Sequence, residues 1–263
     1  MSREKRFRFN GKVVLVTGAV RNTGLAIAEA FAREGAVVVL NGRTSDDVAR
    51  EAERLRRLHG ADVIEAVADI SCQAQVDAMF ELINAQCGRL DILVNNAVVQ
   101  GVGYSLVDTP RDLLENVFQV NVFGAYTCSQ GAAKLMLKRK TGVIINIGSN
   151  TAERTIRNRT AYVASKAALD GLTRAMAVEL GPEGIRVNAV IAGYIRTERW
   201  ETLADGVEAR RHANIPLRAE AQGEDIADAV LFLASDEAAR INGAQLVVDG
   251  GSLAQLYPSD CDV

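Results

Sequence analysis

The sequence predicts an α/β fold: a doubly wound, seven-stranded parallel sheet with helices on both faces, built as a single domain over residues 1–263. Three observations predict it. Short apolar runs rich in Val and Ile alternate with helical patterns along the whole chain. Several of those runs are continuously apolar, as strands covered on both faces are. The chain has 263 residues, 48% hydrophobic and 24% charged, which suffices for one substantial core.

The elements follow in order. Residues 13–16 read as the first strand and 25–33 as the first helix. A strand at 37–40 precedes a helix at 46–58, where Thr44 and Asp47 have the spacing of a capping box. A strand at 63–67, a helix at 73–85 and a strand at 92–94 come next. One long helix is expected over 111–138, then a strand at 143–147, a helix at 161–180 and a strand at 185–190. Residues 194–217 break the alternation, and 194–215 read as a polar insertion over the substrate, carrying the single tryptophan, Trp200. A helix at 224–234, a strand at 246–248 and a tail at 252–263 complete the chain.

The composition narrows the function classes. A formal net charge of -3 and a pI of about 5.6 point away from nucleic-acid and membrane-surface partners. No apolar stretch approaches the ~20 residues of a membrane span, and the polar, basic start of the chain does not read as a secretory signal. Cys72, Cys87, Cys128 and Cys261 are scattered without a CxxC, so reduced cytoplasmic thiols are expected and no metal site. His59 and His212 are expected to be solvated.

The first functional signal follows the first strand. Gly18-Ala19-Val20-Arg21-Asn22-Thr23-Gly24 sits between a strand and a helix, where backbone N–H groups and small residues let a pyrophosphate approach. An acidic residue at the second strand's tip would bind the ribose 2′-hydroxyl of NAD(H). Here the tip reads Asn41-Gly42-Arg43, with no carboxylate. Arg43, with Arg21 in the turn, instead suits a 2′-phosphate, which favours NADP(H) over NAD(H). Asn22 stands where glycine would be easiest, and Asn tolerates positive φ best among the other residues.

With these pieces, the chain resembles the short-chain dehydrogenase/reductase family from Lys12 to Gly251. The likeness rests on Thr17-Gly18 through Gly24, Asp69-Ile70, Asn95-Asn96-Ala97, Asn121, Ser149, Tyr162-Val163-Ala164-Ser165-Lys166, Arg186 to Val190, Gly193 through Thr197 and Val248-Asp249-Gly250-Gly251, in the family's order. The resemblance implies a Rossmann-type fold, an oxidoreductase acting on a carbonyl or secondary alcohol, and a catalytic set of Asn121, Ser149, Tyr162 and Lys166. Gly18, Arg21, Asn22, Thr23, Gly24 and Arg43 are the candidates for the cofactor phosphates; the resemblance implies that Asp69 meets the adenine and that Ile70 beside it also contacts the cofactor, as does Tyr162. The backbone at Asn95 and Ala97 would line the adenosine ribose, Lys166 would hold the nicotinamide ribose, and Ile195 and Thr197 the carboxamide. Asn121 would anchor a water leading from Lys166 to solvent. A homotetramer or homodimer is implied, packed through the helices at 111–138 and 161–180. Val98, Ala192, Ala221 and Gly223 depart from the family's usual residues around the substrate.

The chemistry of the set can be argued directly. Tyr162 and Lys166 lie four apart, on one face of a helix. A free phenol, with a pKa near 10, is a poor base at neutral pH. A nearby ammonium is expected to lower that pKa and let Tyr162 act as general acid and base. The hydroxyl of Ser149, at a strand's carboxyl edge, would bind the substrate oxygen. Arg154, Arg157 and Arg159 offer an anionic substrate group a partner, or else form a solvated rim. A 3-oxoacyl-[acyl-carrier-protein] reductase is an alternative, with Lys134, Lys138, Arg139 and Lys140 facing an acidic carrier. A dehalogenase-like enzyme without a dinucleotide and a non-catalytic dinucleotide-binding protein are further alternatives.

Overall fold

The computed structural model describes residues 7–257. Cys261, the first six residues and the end of the tail lie outside them. Seven parallel strands form one sheet in the order β3-β2-β1-β4-β5-β6-β7. They are β1 (Val13–Val16), β2 (Val37–Gly42), β3 (Val63–Val67), β4 (Ile92–Asn95), β5 (Gly142–Ser149), β6 (Ile185–Ala192) and β7 (Gln245–Val248). The order runs outward from β1 in one direction and from β4 in the other, which leaves a crevice at the carboxyl ends between β1 and β4.

The helices are α1 (Asn22–Arg33), α2 (Ser45–His59), α3 (Gln73–Cys87), α4 (Arg111–Phe118), α5 (Ala125–Leu137), α6 (Thr160–Leu180), α7 (Val207–Ala213) and α8 (Gly223–Ala234). Successive strand residues point to opposite faces, so β1 feeds two cores at once. Val14 and Val16 pack with Ile27 and Phe31 of α1 and Ile226 and Val230 of α8. Val13 and Leu15 pack with Phe80 and Ile83 of α3 and Leu135 and Met136 of α5. This double burial is why the strands read as continuous apolar runs.

Four sequence expectations change. The single helix expected over 111–138 is interrupted by a π-helical segment, Gln119–Gly124. There the side chain of Asn121 accepts from the Val99 N–H at 2.8 Å and donates to the Val99 carbonyl at 3.0 Å, while Gly124 sits against Ile70. The chain takes an extra residue in the turn to present Asn121 to that loop. Second, no side chain caps α2 at Thr44, because Asp47 pairs at 2.7 Å with Arg50 one turn later. The capping box of this fold is instead Gln222 with Asp225, at the start of α8. Third, the polar insertion holds a helix, α7, and a short 3₁₀ segment, Glu198–Thr202. Fourth, the two histidines, expected to be solvated, are only partly exposed and each pairs with a glutamate. His59 meets Glu29 at 3.1 Å, and His212 meets Glu220.

Candidate active site

The carboxyl ends of the strands open into a cleft of about 1320 Å³. Its floor begins at the glycine turn. Gly18 has φ +61°, and a Cβ there would lie 2.9 Å from Ala97 Cα. A Cβ on Gly24 would collide with the Gly18 carbonyl and the Asn96 amide. Only bare backbone fits both positions. Asn22 takes φ 47°, as the turn needs.

Three side chains lock this turn. Thr17 Oγ1 accepts from the N–H groups of Asn96 and Ala97 at 3.0 and 3.1 Å. Asn96 Nδ2 donates to the carbonyls of Thr17 and Gly18, and Asn41 Oδ1 accepts from the Gly18 N–H. Asn41 and Thr17 went unassigned in the sequence because a buried amide or hydroxyl leaves no signal without its partner. The N-terminus of α1 that follows has no side-chain cap and no acidic residue in its first turn. Its N–H groups and the positive end of its dipole therefore face the cleft, a fit for phosphate. Arg21 and Arg43, both exposed, line the cleft on either side.

Asp69 lies farther along the same wall. Its carboxylate accepts from the backbone and hydroxyl of Ser71 at 2.9 and 2.6 Å. Burial pushes its pKa up, but those bonds and the charge of Arg43 bring it net below the usual carboxylate value. Ile70, Ala97 and Val98 continue the wall; Val98 is partly exposed there. Asn96 and Ala97 line the cleft, and Asn95 does not. It is buried away from the cleft, donating at 2.9 Å to both Ser129 Oγ and Asn146 Oδ1.

Ser149, Tyr162 and Lys166 meet at the other end of the cleft. Ser149 is the last residue of β5, and its hydroxyl lies 2.9 Å from that of Thr151. Tyr162 and Lys166 project from the first turns of α6. Lys166 is buried, and its ammonium donates to the Ile147 carbonyl at 2.6 Å, 5.8 Å from the centre of the Tyr162 ring. Burial lowers its pKa to about 8, against a raising influence from Asp170. Tyr162 differs from expectation, because burial raises its pKa. The groups opposing that rise are the Ser149 hydroxyl and the Arg159 charge, with Arg159 held 5.9 Å from the ring centre. Asn121 is not on the cleft wall. Its amide also donates to Ser165 Oγ at 2.9 Å, so its side chain ties the loop at Val99 to α6.

Ile195 and Thr197 line the cleft beyond β6, where a bridge from Ile195 to Ala221 pins the chain. Of the three arginines singled out above, Arg154 donates to the carbonyls of Ser252 and Gln255, Arg157 is exposed outside the cleft lining, and Arg159 lines it. In the basic cluster, Arg139 pairs with Asp91 at 3.0 Å and Lys140 with Glu183 at 3.7 Å. The insertion adds Trp200 and Arg211 to the wall, which the sequence did not single out as site residues.

Residues 18–252 match the family model described as Enoyl-(Acyl carrier protein) reductase. The chain is 38% identical to a 3alpha-hydroxysteroid dehydrogenase of Mediterraneibacter gnavus, over 92% of this chain and 96% of the relative. The chain belongs to the short-chain dehydrogenase/reductase family. Among solved structures of similar fold is a gluconate 5-dehydrogenase from Burkholderia cenocepacia J2315, in complex with NADP and tartrate. It has a TM-score of 0.90 and 34% identity, over 95% of this chain and 98% of that one. An NAD+-bound xylitol dehydrogenase matches with TM-score 0.89 and 30% identity, over 93% and 100%. This short-chain dehydrogenase/reductase is thus an oxidoreductase of Rossmann fold, and none of its described helices is long and apolar enough to cross a membrane.

Proposed function

We propose that this oxidoreductase transfers a hydride between NADP(H) and a carbonyl or secondary alcohol, with Tyr162 as general acid and base. One observation carries the reading. Ser149, Tyr162 and Lys166 share a cleft with a turn bare at Gly18 and Gly24, and Arg21 and Arg43 line the same cleft. The nicotinamide, when bound, supplies or accepts the hydride. Gly18, Asn22, Thr23 and Gly24 would hold its phosphates, and Asp69, Ile70 and Ala97 its adenosine half. Lys166, Ile195 and Thr197 would hold the nicotinamide half.

The chain's own groups move the proton. Ser149 Oγ binds the substrate oxygen and stabilises its charge in reduction. The Tyr162 phenol, kept protonated by burial, donates to that oxygen. In oxidation the phenolate takes the alcohol proton, and the Ser149 hydroxyl and the nearby charge of Arg159 offset the cost of forming it. Asn121 acts by holding Val99 and Ser165 in place around this centre.

The preference for NADP(H) over NAD(H) rests on the absence of a carboxylate at the tip of β2 and the presence of Arg43 there. A thermal-shift comparison tests it. NADPH is expected to raise the melting temperature more than NADH, and Arg43→Gln to remove most of the difference. A larger shift with NADH would overturn the preference. A small-molecule substrate and a homodimer or homotetramer complete the proposal; α5 and the preceding π-turn expose Tyr126 and Phe123, and α6 exposes Val178.

A further inference from the structure

The substrate end of the cleft carries more positive charge than hydride transfer requires. Arg211 of α7 lines it, with its guanidinium 4.8 Å from the centre of the Trp200 ring and 5.1 Å from that of Tyr194. The two rings meet edge to face, 6.4 Å apart, so they bound the guanidinium from two directions. Trp200 is itself fixed. It is buried, donates from Nε1 to the Ile195 carbonyl at 2.8 Å and stacks on His212. A guanidinium stacked on aromatic faces keeps its in-plane N–H groups for a ligand.

The neighbouring carboxylates are committed elsewhere. Glu208 and Glu220 both pair with Arg196, at 3.2 and 2.6 Å, and Glu220 also meets His212. Among the described residues no carboxylate lies within ion-pair distance of Arg211. Among the described residues from the insertion that line the cleft, Glu198 is the acidic one. Arg159 lines the same cleft, its guanidinium 5.9 Å from the centre of the Tyr162 ring. Arg154 is used differently, donating to the backbone carbonyls of Ser252 and Gln255.

We propose that the substrate is an oxo or hydroxy compound bearing an anionic group, carboxylate or phosphate, bound by Arg211 together with Arg159. This rests on the hydride-transfer reading. A planar guanidinium pairs two-pronged with either anion, and such charge-assisted bonds discriminate strongly against neutral isosteres. Arg159 lies 5.9 Å from the Tyr162 ring centre, so an anion it binds would sit near the proposed proton donor.

The test measures kcat/KM with NADPH for matched ketones. Straight-chain oxo acids of graded carbonyl–carboxylate spacing are each compared with their methyl esters, and hydroxyacetone phosphate with hydroxyacetone. At one or more spacings, or in the phosphate pair, the anion is expected to be preferred at least about tenfold. Which pair shows the preference identifies carboxylate or phosphate. Arg211→Gln is expected to bring that ratio close to one, Arg159→Gln to reduce it and Arg211→Lys to give an intermediate value. Melting temperatures with and without NADPH verify that each variant is folded. Equal kcat/KM within every pair overturns the proposal and leaves hydride transfer standing. So does an anion preference unchanged in both glutamine variants. No turnover of any pair with either dinucleotide removes the hydride-transfer reading, and the anion site with it.

Discussion

Lys166 shows how one buried side chain couples chemistry to stability. It titrates near 8 in the folded chain and at its usual 10.5 when unfolded. Between those values the unfolded state binds more protons, so stability from this group rises with pH. Below about 8 the folded chain carries the full cost of a buried charge. Urea denaturation of wild type and Lys166→Met across this range is expected to show wild type gaining stability relative to the variant, by up to about 3 kcal/mol. Ser149→Ala is expected to lower kcat roughly 10²-fold, as removal of one donor to a developing oxyanion does. At this scale the sequence was legible in placement: Tyr162, Lys166 and Arg43, far apart in the chain, line one cleft. It was not legible where the task depends on a distant partner. The Asn95 side chain is spent inward on Asn146 and Ser129, a role its sequence position does not announce. Arg211 carries no motif, and its placement exists only once Trp200 and Tyr194 have folded around it.

At the scale of elements, the apolar runs located every strand; burial on both faces writes the inner strands as continuous Val and Ile, while the edge strands β3 and β7 are partly exposed. Periodicity misjudged what interrupts a helix. The amphipathic pattern from 111 to 138 continues through Gln119–Gly124, and the π-turn there is set by the bonds of Asn121 to Val99 and Ser165. Replacing Asn121 by Leu leaves the Val99 N–H and carbonyl without this partner. A loss of about 1–3 kcal/mol in stability is expected, measurable by denaturant unfolding, together with a smaller NADPH-induced thermal shift. Activity lost without any change in stability would contradict this view of Asn121. Helix α7 was missed because its seven residues are short and polar, with no buried residue to set a period.

Over the whole molecule, a doubly wound sheet brings distant segments to one edge. The turn at Gly18, the tip of β2, the end of β5, the start of α6 and the insertion after β6 all meet there. The fold supplies this convergence, and the family match follows from it and from the order of the motifs. Exposed Phe123, Tyr126 and Val178 lead to an expected dimer or tetramer, to be read as solution mass by light scattering; a monomeric mass would contradict it. The most direct test compares wild type with Tyr162→Phe for NADPH-dependent reduction of a ketone the wild type accepts. Loss of the phenolic proton is expected to lower kcat by about 10²–10⁴-fold while the thermal shift with NADPH persists. Equal turnover by the two proteins would contradict the assignment of Tyr162 as the proton donor.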